Sequence, residues 1–378
     1  MPIRQVWPSP LLNLPTEILL MIADILETRD VSSFLRTERR YANILDSHLY
    51  QRARSHICTD ETPVLEWAAK RNQASVIRKL LRKTNDAPIP PEVKNKALCR
   101  AAEAGMHHII EILADAGADI SSPIFMGWGS TSSPLQLAAE NGHETTALVL
   151  LRLGADIHAT NSHQETALHY AAGGSLRTTP PGGKEAVVRL LLERGADVAA
   201  LTEGGEAVLH HATLSKSETI VKMILEKGVD LEVISVAGRT PLFWALGCVY
   251  DVENYDKQAA ILNLLLAAGA NVNVSEPYEH NTPLHYAAKN GNEWAVRLLL
   301  AYGANVENCD VFGHTALHFA ATSGNEAVVR MLLEKGADIS VFSVEEDETP
   351  RNYAKARGHE EIVRILDEAA AQRVKSSA

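Results

Sequence analysis

A four-residue pattern recurs along most of this 378-residue chain, at a spacing close to 33 residues. Its nine copies are PVLE at 63, KALC at 96, SPLQ at 133, TALH at 166, AVLH at 207, TPLF at 240, TPLH at 282, TALH at 315 and TPRN at 349. A second pattern keeps phase with the first: GADI at 117 and 154, GADV at 195, GVDL at 228, GANV at 269 and 303, and GADI at 336. Two phased patterns of this length predict an array of about nine similar units, whose stacking builds the core.

Each position of the unit that begins at Thr282 has a physical use. Threonine can cap a helix, and Pro283 suits the first helical position, where no amide donor is needed. The small apolar stripe that follows ends at Gly291, which can adopt the left-handed conformation that closes a helix. A second, bulkier apolar helix is predicted from Trp294 to Ala301. The unit is therefore a helix-turn-helix that cannot bury its apolar face alone.

These residues resemble the ankyrin repeat, whose pattern reads T-P-L-H-x-A-A, then G-H/N, then V-x-x-L-L-L, then G-A-D/N-V. The match covers about residues 62–370 and is almost complete at 282–306 and 315–339. The resemblance implies an all-α solenoid of L-shaped repeats, with hairpin tips that project from paired helices and a concave groove that binds another protein. We expect the last repeat, from 349, to cap the array, because its outer face is charged.

Three intervals between copies are longer than the others, and they place insertions at 121–133, 173–184 and 247–257. The first follows a GADI pattern and should lengthen a hairpin tip, where it would expose Phe125 and Trp128. Insertions in repeat proteins often lie on the binding face, but surface loops also tolerate neutral changes in length. Both interpretations remain open.

Residues 11–55 do not follow the repeat, and we predict three short helices there, between a tail at 1–10 and the array. The segment resembles the F-box in its L-P-x-E-I start, its D-V pair and its LRTERR end at 35–40. The resemblance implies docking on a Skp-type adaptor of a cullin ubiquitin ligase. Its contact positions correspond to Leu14, Pro15, Ile18 and Ile22. The alternative is a helical cap that shields the first repeat, in a scaffold protein without a link to ubiquitin.

The composition limits the classes of partner and the cell compartment that we expect for this protein. The formal net charge is −11, which argues against nucleic acid, because phosphates require a basic surface. No uncharged apolar run reaches the roughly 18 residues of a membrane helix. Four scattered cysteines without a CxxC pair fit a reducing compartment, so we expect a protein of the cytoplasm or nucleus. We also expect it to be monomeric on its own. A short tail is predicted at 371–378.

No motif of the sequence predicts catalysis, a cofactor or a metal. The PPGGKE stretch has Thr178 where a P-loop requires glycine, and Glu185 where it requires Ser or Thr. No HExxH, GxSxG or zinc-spaced Cys/His cluster occurs. Four histidines share the fourth position of the tetrapeptide, and we interpret them as hydrogen-bonding the neighbouring tips: His169, His210, His285 and His318.

The hairpin tips supply the candidate binding residues. Aromatic side chains at projecting positions are typical interface anchors. Tyr278 and Phe312 occupy successive tips, and stacking should place them side by side. The full predicted partner-binding set is Arg239, Tyr278, Glu279, Val311, Phe312 and His314. For Trp244, on an inner helix, core packing is favoured over binding.

Overall fold

The computed structural model describes residues 64–82, 89–127, 130–173, 183–247, 255–344 and 347–377. The predicted three-helix segment lies outside the described residues, as do Leu14, Pro15, Ile18 and Ile22. The same holds for Trp128 and for most of the insertions at 173–184 and 247–257.

The described residues form nine helical hairpins, which confirms the predicted solenoid. The inner helices are α1 Val64–Lys70, α3 Pro91–Glu103, α5 Pro134–Glu140, α7 Ala167–Gly173, α9 Val208–Leu214, α11 Pro241–Gly247, α13 Pro283–Lys289, α15 Ala316–Ser323 and α17 Pro350–Ala356. The outer helices are α2 Ala74–Arg82, α4 His107–Asp115, α6 Glu144–Arg152, α8 Gly183–Glu193, α10 Glu218–Leu225, α12 Tyr255–Ala267, α14 Glu293–Ala301, α16 Glu326–Glu334 and α18 Glu360–Ser377. Each inner helix packs on the next inner helix, and each outer helix on the next outer one.

One hydrophobic core runs through the array from Leu65 to Leu366. The small stripe of α13 is buried as predicted, with Ala287 2% and Ala288 0% exposed. Small side chains allow the inner helices to approach closely, while Leu299 and its neighbours fill the wider space between outer helices. Because no single hairpin can bury these faces, stability depends on stacking.

The start of α13 differs in detail from the prediction. Thr282 is the N-cap residue, but its backbone N–H donates to Nδ1 of His285 at 2.9 Å, and its hydroxyl lies 3.1 Å from the same nitrogen. In the third repeat, by contrast, the Ser133 hydroxyl accepts from the backbone N–H of Gln136 at 3.3 Å, as a capping side chain should. The recurring histidine therefore takes part in ending the turn and starting the helix.

The first insertion contains a short β-hairpin within the otherwise helical array. Residues Ile124–Gly127 (β1) and Ser130–Ser132 (β2) pair as an antiparallel hairpin, with Ile124 opposite Ser132. Ile124 is buried whereas Phe125 is 68% exposed, because successive strand residues face opposite sides. The insertion thus extends a hairpin tip, as the sequence predicted, and exposes Phe125.

The predicted C-terminal tail also differs from the structure, because α18 continues to Ser377. Arg373 holds this end against the preceding repeat. Its guanidinium lies 3.0 Å from Oδ1 of Asp338 and donates to the carbonyl of Ala337 at 2.5 Å. A helix C-terminus favours a nearby cation, so Arg373 suits this place in the helix as well as the contact.

Candidate functional site

Six successive hairpin tips project on the same side of the inner helices. We call them tips 4 to 9; they comprise residues 161–165, 202–206, 235–239, 276–281, 310–314 and 343–348. Each is closed by a backbone hydrogen bond from its first to its last residue, for example Asp310 N–H to the carbonyl of His314 at 3.0 Å. The closed turns hold their side chains at fixed places along one edge.

Backbone hydrogen bonds also join neighbouring tips. The second residue of a tip donates to a carbonyl of the preceding tip, as Val236 does to Gly204 at 2.7 Å and Val344 to Phe312 at 2.7 Å. In tip 7 the second residue is Pro277, which has no amide hydrogen to donate. At this step Tyr278 instead donates its hydroxyl to the carbonyl of Val236 at 3.4 Å.

Close packing replaces the missing backbone bond between tips 6 and 7. Gly238 has a φ of +74°, and a Cβ atom there would lie 2.3 Å from Cδ of Pro277. We expect Gly238→Ala to lower the free energy of unfolding by about 2 kcal/mol or more, from the left-handed backbone together with the clash. Gly228 is the matched control, because its φ is +69° but nothing lies within 4 Å of the added carbon. Urea unfolding should show a loss for Gly228→Ala of only about 1 kcal/mol, and equal losses would contradict the packing argument.

The predicted partner-binding residues separate into two groups. Tyr278 and Val311 are 70% and 45% exposed, and Glu279 is exposed beside them. The two tips are adjacent, since Val311 N–H donates to the carbonyl of Glu279 at 3.0 Å. These three residues are therefore available to a partner, whereas Phe312 is half-buried.

His314 and Arg239 also connect repeats within the array. His314 lies between Asp310 and Tyr353, with Nδ1 3.0 Å from Oδ2 of Asp310 and Nε2 2.9 Å from the Tyr353 hydroxyl. Arg239 lies over the ring of Tyr286 at 5.4 Å and donates from Nη2 to its hydroxyl at 3.3 Å. Both side chains already have contacts with the next repeat.

The predicted partner-binding set leaves out two exposed residues of this edge. Val236 in tip 6 is 71% exposed and Val344 in tip 9 is 76% exposed. With Tyr278 and Val311 they give four successive tips an exposed apolar side chain, and we call these four residues the tip ridge. Val344 is followed by the acidic stretch 345–348, whose charges make this tip read as polar in the sequence.

A second feature lies on the inner helices beside the tips. From the fourth repeat to the ninth, the residue after each tetrapeptide carries a half-buried aromatic or imidazole ring; we call these six the aromatic row: Tyr170, His211, Trp244, Tyr286, Phe319 and Tyr353. Five of the six pack edge-on or tilted against the fourth tetrapeptide residue of the preceding repeat. The pairs are His169–His211, His210–Trp244, Phe243–Tyr286, His285–Phe319 and His318–Tyr353, with ring centroids 5.1 to 5.6 Å apart.

This relation is repeated so regularly that it defines how one repeat sits on the next. Edge-to-face contacts at these distances stabilise a pair beyond the area they bury. In the second repeat the equivalent residue is Arg100, which lies 3.6 Å from the equivalent Glu66. Trp244 is accordingly neither wholly core nor wholly surface, since it is half-buried against His210.

The recurring histidines are buried in all four repeats, and in three of them Nε2 contacts a carbonyl at or beside the following tip. Nε2 of His210, His285 and His318 lies 3.0, 2.9 and 3.4 Å from the carbonyls of Arg239, Asn308 and Glu348. For His169, Nε2 has no hydrogen-bond partner among the described residues. Burial lowers the pKa of all four rings, to about 4 for His169 and His318. They are neutral at pH 7 and belong to the core.

Comparison with known proteins agrees with this architecture. The model of the family "Ankyrin repeats (3 copies)" matches residues 127–200, 181–254 and 249–343, more than half of the chain. The protein therefore belongs to the ankyrin-repeat family, whose arrays are protein–protein interaction modules. Within the described residues, no helix is long and apolar enough to cross a membrane. Nor does any group of three or more His, Cys, Asp or Glu side chains there form a possible metal site.

Two solved structures share the fold. The ankyrin repeat domain of Bcl-3 is 30% identical with a TM-score of 0.51, and that of human ASB11 is 25% identical with a TM-score of 0.53. Each comparison covers 62% of this chain and 98% of the other chain.

Curated relatives match over shorter stretches. The "Putative E3 ubiquitin-protein ligase XBAT35" of Arabidopsis thaliana is 45% identical over 69 residues, which are 18% of this chain and 13% of that protein. The human "Palmitoyltransferase ZDHHC17" is 38% identical over 77 residues, 20% of this chain and 11% of that protein. Because the chain spans so little of either relative, these similarities concern ankyrin repeats and carry no activity with them.

Proposed function

We propose that this protein is the substrate-recognition subunit of a cullin-type ubiquitin ligase, in which the N-terminal segment docks on a Skp-type adaptor and the array captures the target protein. The observation that carries the proposal is the ordered F-box resemblance of residues 11–55, directly ahead of an array whose fold is used for recognition. No residue of the chain performs chemistry in this proposal.

The adaptor contact is assigned to the L-P start of the segment and the apolar residues that follow it. Leu14 and Pro15 stand just before the helix that is predicted to begin after the proline, and Ile18 and Ile22 are spaced to share one side of that helix. A core of about 40 residues rarely folds alone, so packing on an adaptor would also stabilise it.

Co-expression of the full chain with a Skp-type adaptor tests this contact. The parent chain should co-purify with the adaptor, and the double substitution Leu14→Ala and Pro15→Ala should reduce the recovered adaptor at least about tenfold. Leu148→Ala is the control, because Leu148 is a partly exposed residue of α6 on the outer layer. Failure of the parent chain to retain the adaptor, with its array folded by circular dichroism, would refute the ligase assignment.

Target capture is assigned to the tip ridge and its surroundings. Four apolar side chains on four adjacent tips form a continuous edge, and exposed apolar groups grouped in this way mark interaction sites. Glu279 adds an exposed negative charge beside Tyr278 and Val311. Phe312, His314 and Arg239 lie on the same tips but are half-buried.

Proximity labelling in the native host tests the capture surface. The double substitution Tyr278→Ser and Val311→Ser should remove a subset of the proteins labelled by the parent chain, while leaving adaptor labelling unchanged. Leu148→Ser removes exposed apolar surface from the outer layer and should lose none. An unchanged set of labelled proteins in the ridge variant would show that the ridge is not the capture surface.

The alternative is a scaffold protein in which residues 11–55 cap the first repeat, and deletion of this segment distinguishes it from a docking module. Deletion of residues 1–55 would then expose the apolar end of the array and lower its melting temperature, as loss of a terminal cap does. A docking module predicts an unchanged melting temperature, together with loss of the adaptor.

A further inference from the structure

The side chains that line the groove between the tips and the inner helices differ from repeat to repeat. In repeats 6 and 7 they hold a guanidinium group. There the Arg239 guanidinium lies over the Tyr286 ring at 5.4 Å. The Tyr286 hydroxyl is also 3.0 Å from both carboxylate oxygens of Glu276. Ring, carboxylate and guanidinium thus form one compact group, in which the chain itself supplies the cation.

The place taken by Arg239 recurs in other repeats. Arg239 is the residue just before the tetrapeptide of the sixth repeat, and it contacts the aromatic-row residue of the seventh repeat. The residue just before the tetrapeptide occupies the equivalent place in the other repeats. At this place Ser132 lies 3.4 Å from the Tyr170 hydroxyl, and His314 lies 2.9 Å from that of Tyr353. In the fourth and fifth repeats the same place holds Glu165 and Glu206.

Tips 4 and 5 therefore carry a carboxylate at the place where tip 6 carries the Arg239 guanidinium. Glu165, Glu203 and Glu206 line an open pocket of about 420 Å³ between tips 4, 5 and 6, together with His163, Thr202, Gly204 and Val236. Among the described residues, Glu203 and Glu206 each pair with a histidine, and the Glu165 carboxylate accepts a hydrogen bond from Nδ2 of Asn161 at 2.7 Å. His163 lies 3.8 Å from Glu203, and His211 lies 3.4 Å from Glu206.

His211 does not neutralise the pocket. Burial lowers the pKa of His211 in spite of the nearby Glu206 and Glu165 carboxylates, so its ring is neutral at pH 7. The exposed side chain of Val236 provides an apolar wall at the same opening. Three carboxylates beside uncharged rings and an apolar wall favour a planar cation over a compact ammonium ion, because a guanidinium can stack and form paired hydrogen bonds at once.

We propose that the groove of repeats 4 to 6 binds an extended, arginine-containing segment of the captured protein, whose guanidinium enters the pocket between Glu165, Glu203 and Glu206. The inference deepens the proposed recognition role of the array and rests on it, but it is independent of the adaptor. The aromatic row continues from this pocket toward the ninth repeat, so the segment would lie along the rings while its arginine fixes the register. The occupant is a protein segment, because the groove is long and open.

Selection from a displayed library of random decapeptides on the full-length chain tests the proposal. Synthetic peptides from the selection should contain arginine, and their affinity should fall several-fold when that arginine is replaced by lysine. The double substitution Glu165→Gln and Glu206→Gln should weaken binding at least about tenfold, and higher ionic strength should weaken binding to the parent chain.

Glu193→Gln with Glu226→Gln is the matched control, because it removes the same charge from exposed positions of the outer layer in the same two repeats. It should leave peptide affinity unchanged. Selected peptides without arginine, peptides insensitive to Glu165→Gln and Glu206→Gln, or a selection that yields no binder would each overturn the proposal. If the peptides instead lose affinity only for the Tyr278→Ser and Val311→Ser variant, the array still recognises a partner, but through the tip ridge and not through this pocket.

Discussion

Leu209→Ala is expected to lower the free energy of unfolding by about 3 kcal/mol. Leu209 is 1% exposed in α9, the inner helix of the fifth repeat, and belongs to the continuous core. Truncation removes buried methyl groups and leaves a cavity between helices that are held on both sides. Urea unfolding followed by circular dichroism measures the loss.

The position of Leu209 in the array should add a second effect. Repeats contact only their neighbours, so weakening the fifth repeat uncouples the repeats before it from those after it. The unfolding transition should become broader or split into two, with a lower slope against urea. Leu148→Ala, at a partly exposed leucine in the outer layer, should keep a single transition and lose less than about 1 kcal/mol. Equal losses for the two variants would contradict the packing described for the core.

Mild acid is expected to destabilise the array through its buried histidines. Burial lowers the pKa of His169 and His318 to about 4, and that of His210, His211 and His285 in the same direction. In the unfolded chain a histidine has a pKa of about 6.5, so the unfolded state binds more protons as the pH falls below that value. Their contribution to stability is complete above about pH 6.5 and is lost as the pH falls toward 4.

The size of the effect can be measured by urea unfolding at about pH 7 and about pH 5, where each of His169 and His318 should account for a loss of about 1–2 kcal/mol. His318→Phe keeps a ring against Tyr353 but cannot bind a proton. The variant should be less stable at neutral pH, because it loses the hydrogen bonds of the imidazole, yet its stability should change less between the two pH values. His108→Gln is the control, because it also removes an imidazole, but from a side chain that is 71% exposed. A parent chain with the same stability at both pH values would contradict the argument.

The sequence predicted the solenoid because its two phased patterns repeat the same local physics. A capping residue, a proline at the first helical position, a small apolar stripe and a closing glycine each act within a few residues, so they can be read without knowing what lies across the molecule. The nine hairpins and the exposure of Tyr278 and Val311 follow from that local information. The three-helix segment at 11–55 and its adaptor contacts remain predictions.

What needed the tertiary structure was every relation between repeats. The sequence predicted a lengthened tip at the first insertion, but not that Ile124–Gly127 and Ser130–Ser132 pair as strands, which satisfies backbone groups of a long tip. His314 and Arg239 were predicted to face a partner, yet both contact the next repeat about 40 or more residues away in sequence. Val344 lies outside the predicted partner-binding set, but its backbone N–H donates to the carbonyl of Phe312, which places its tip beside that residue.

The aromatic row separates what the sequence determines from what the tertiary structure decides. A ring after the tetrapeptide can be read in each of six repeats, but its meaning depends on the residue that the preceding repeat places beneath it and on the tip residue beside it. Sequence alone therefore determined the unit, its period and which residues project. The tertiary structure decided which of these side chains join repeats and which are open to a partner, because stacking brings together residues separated by a whole period.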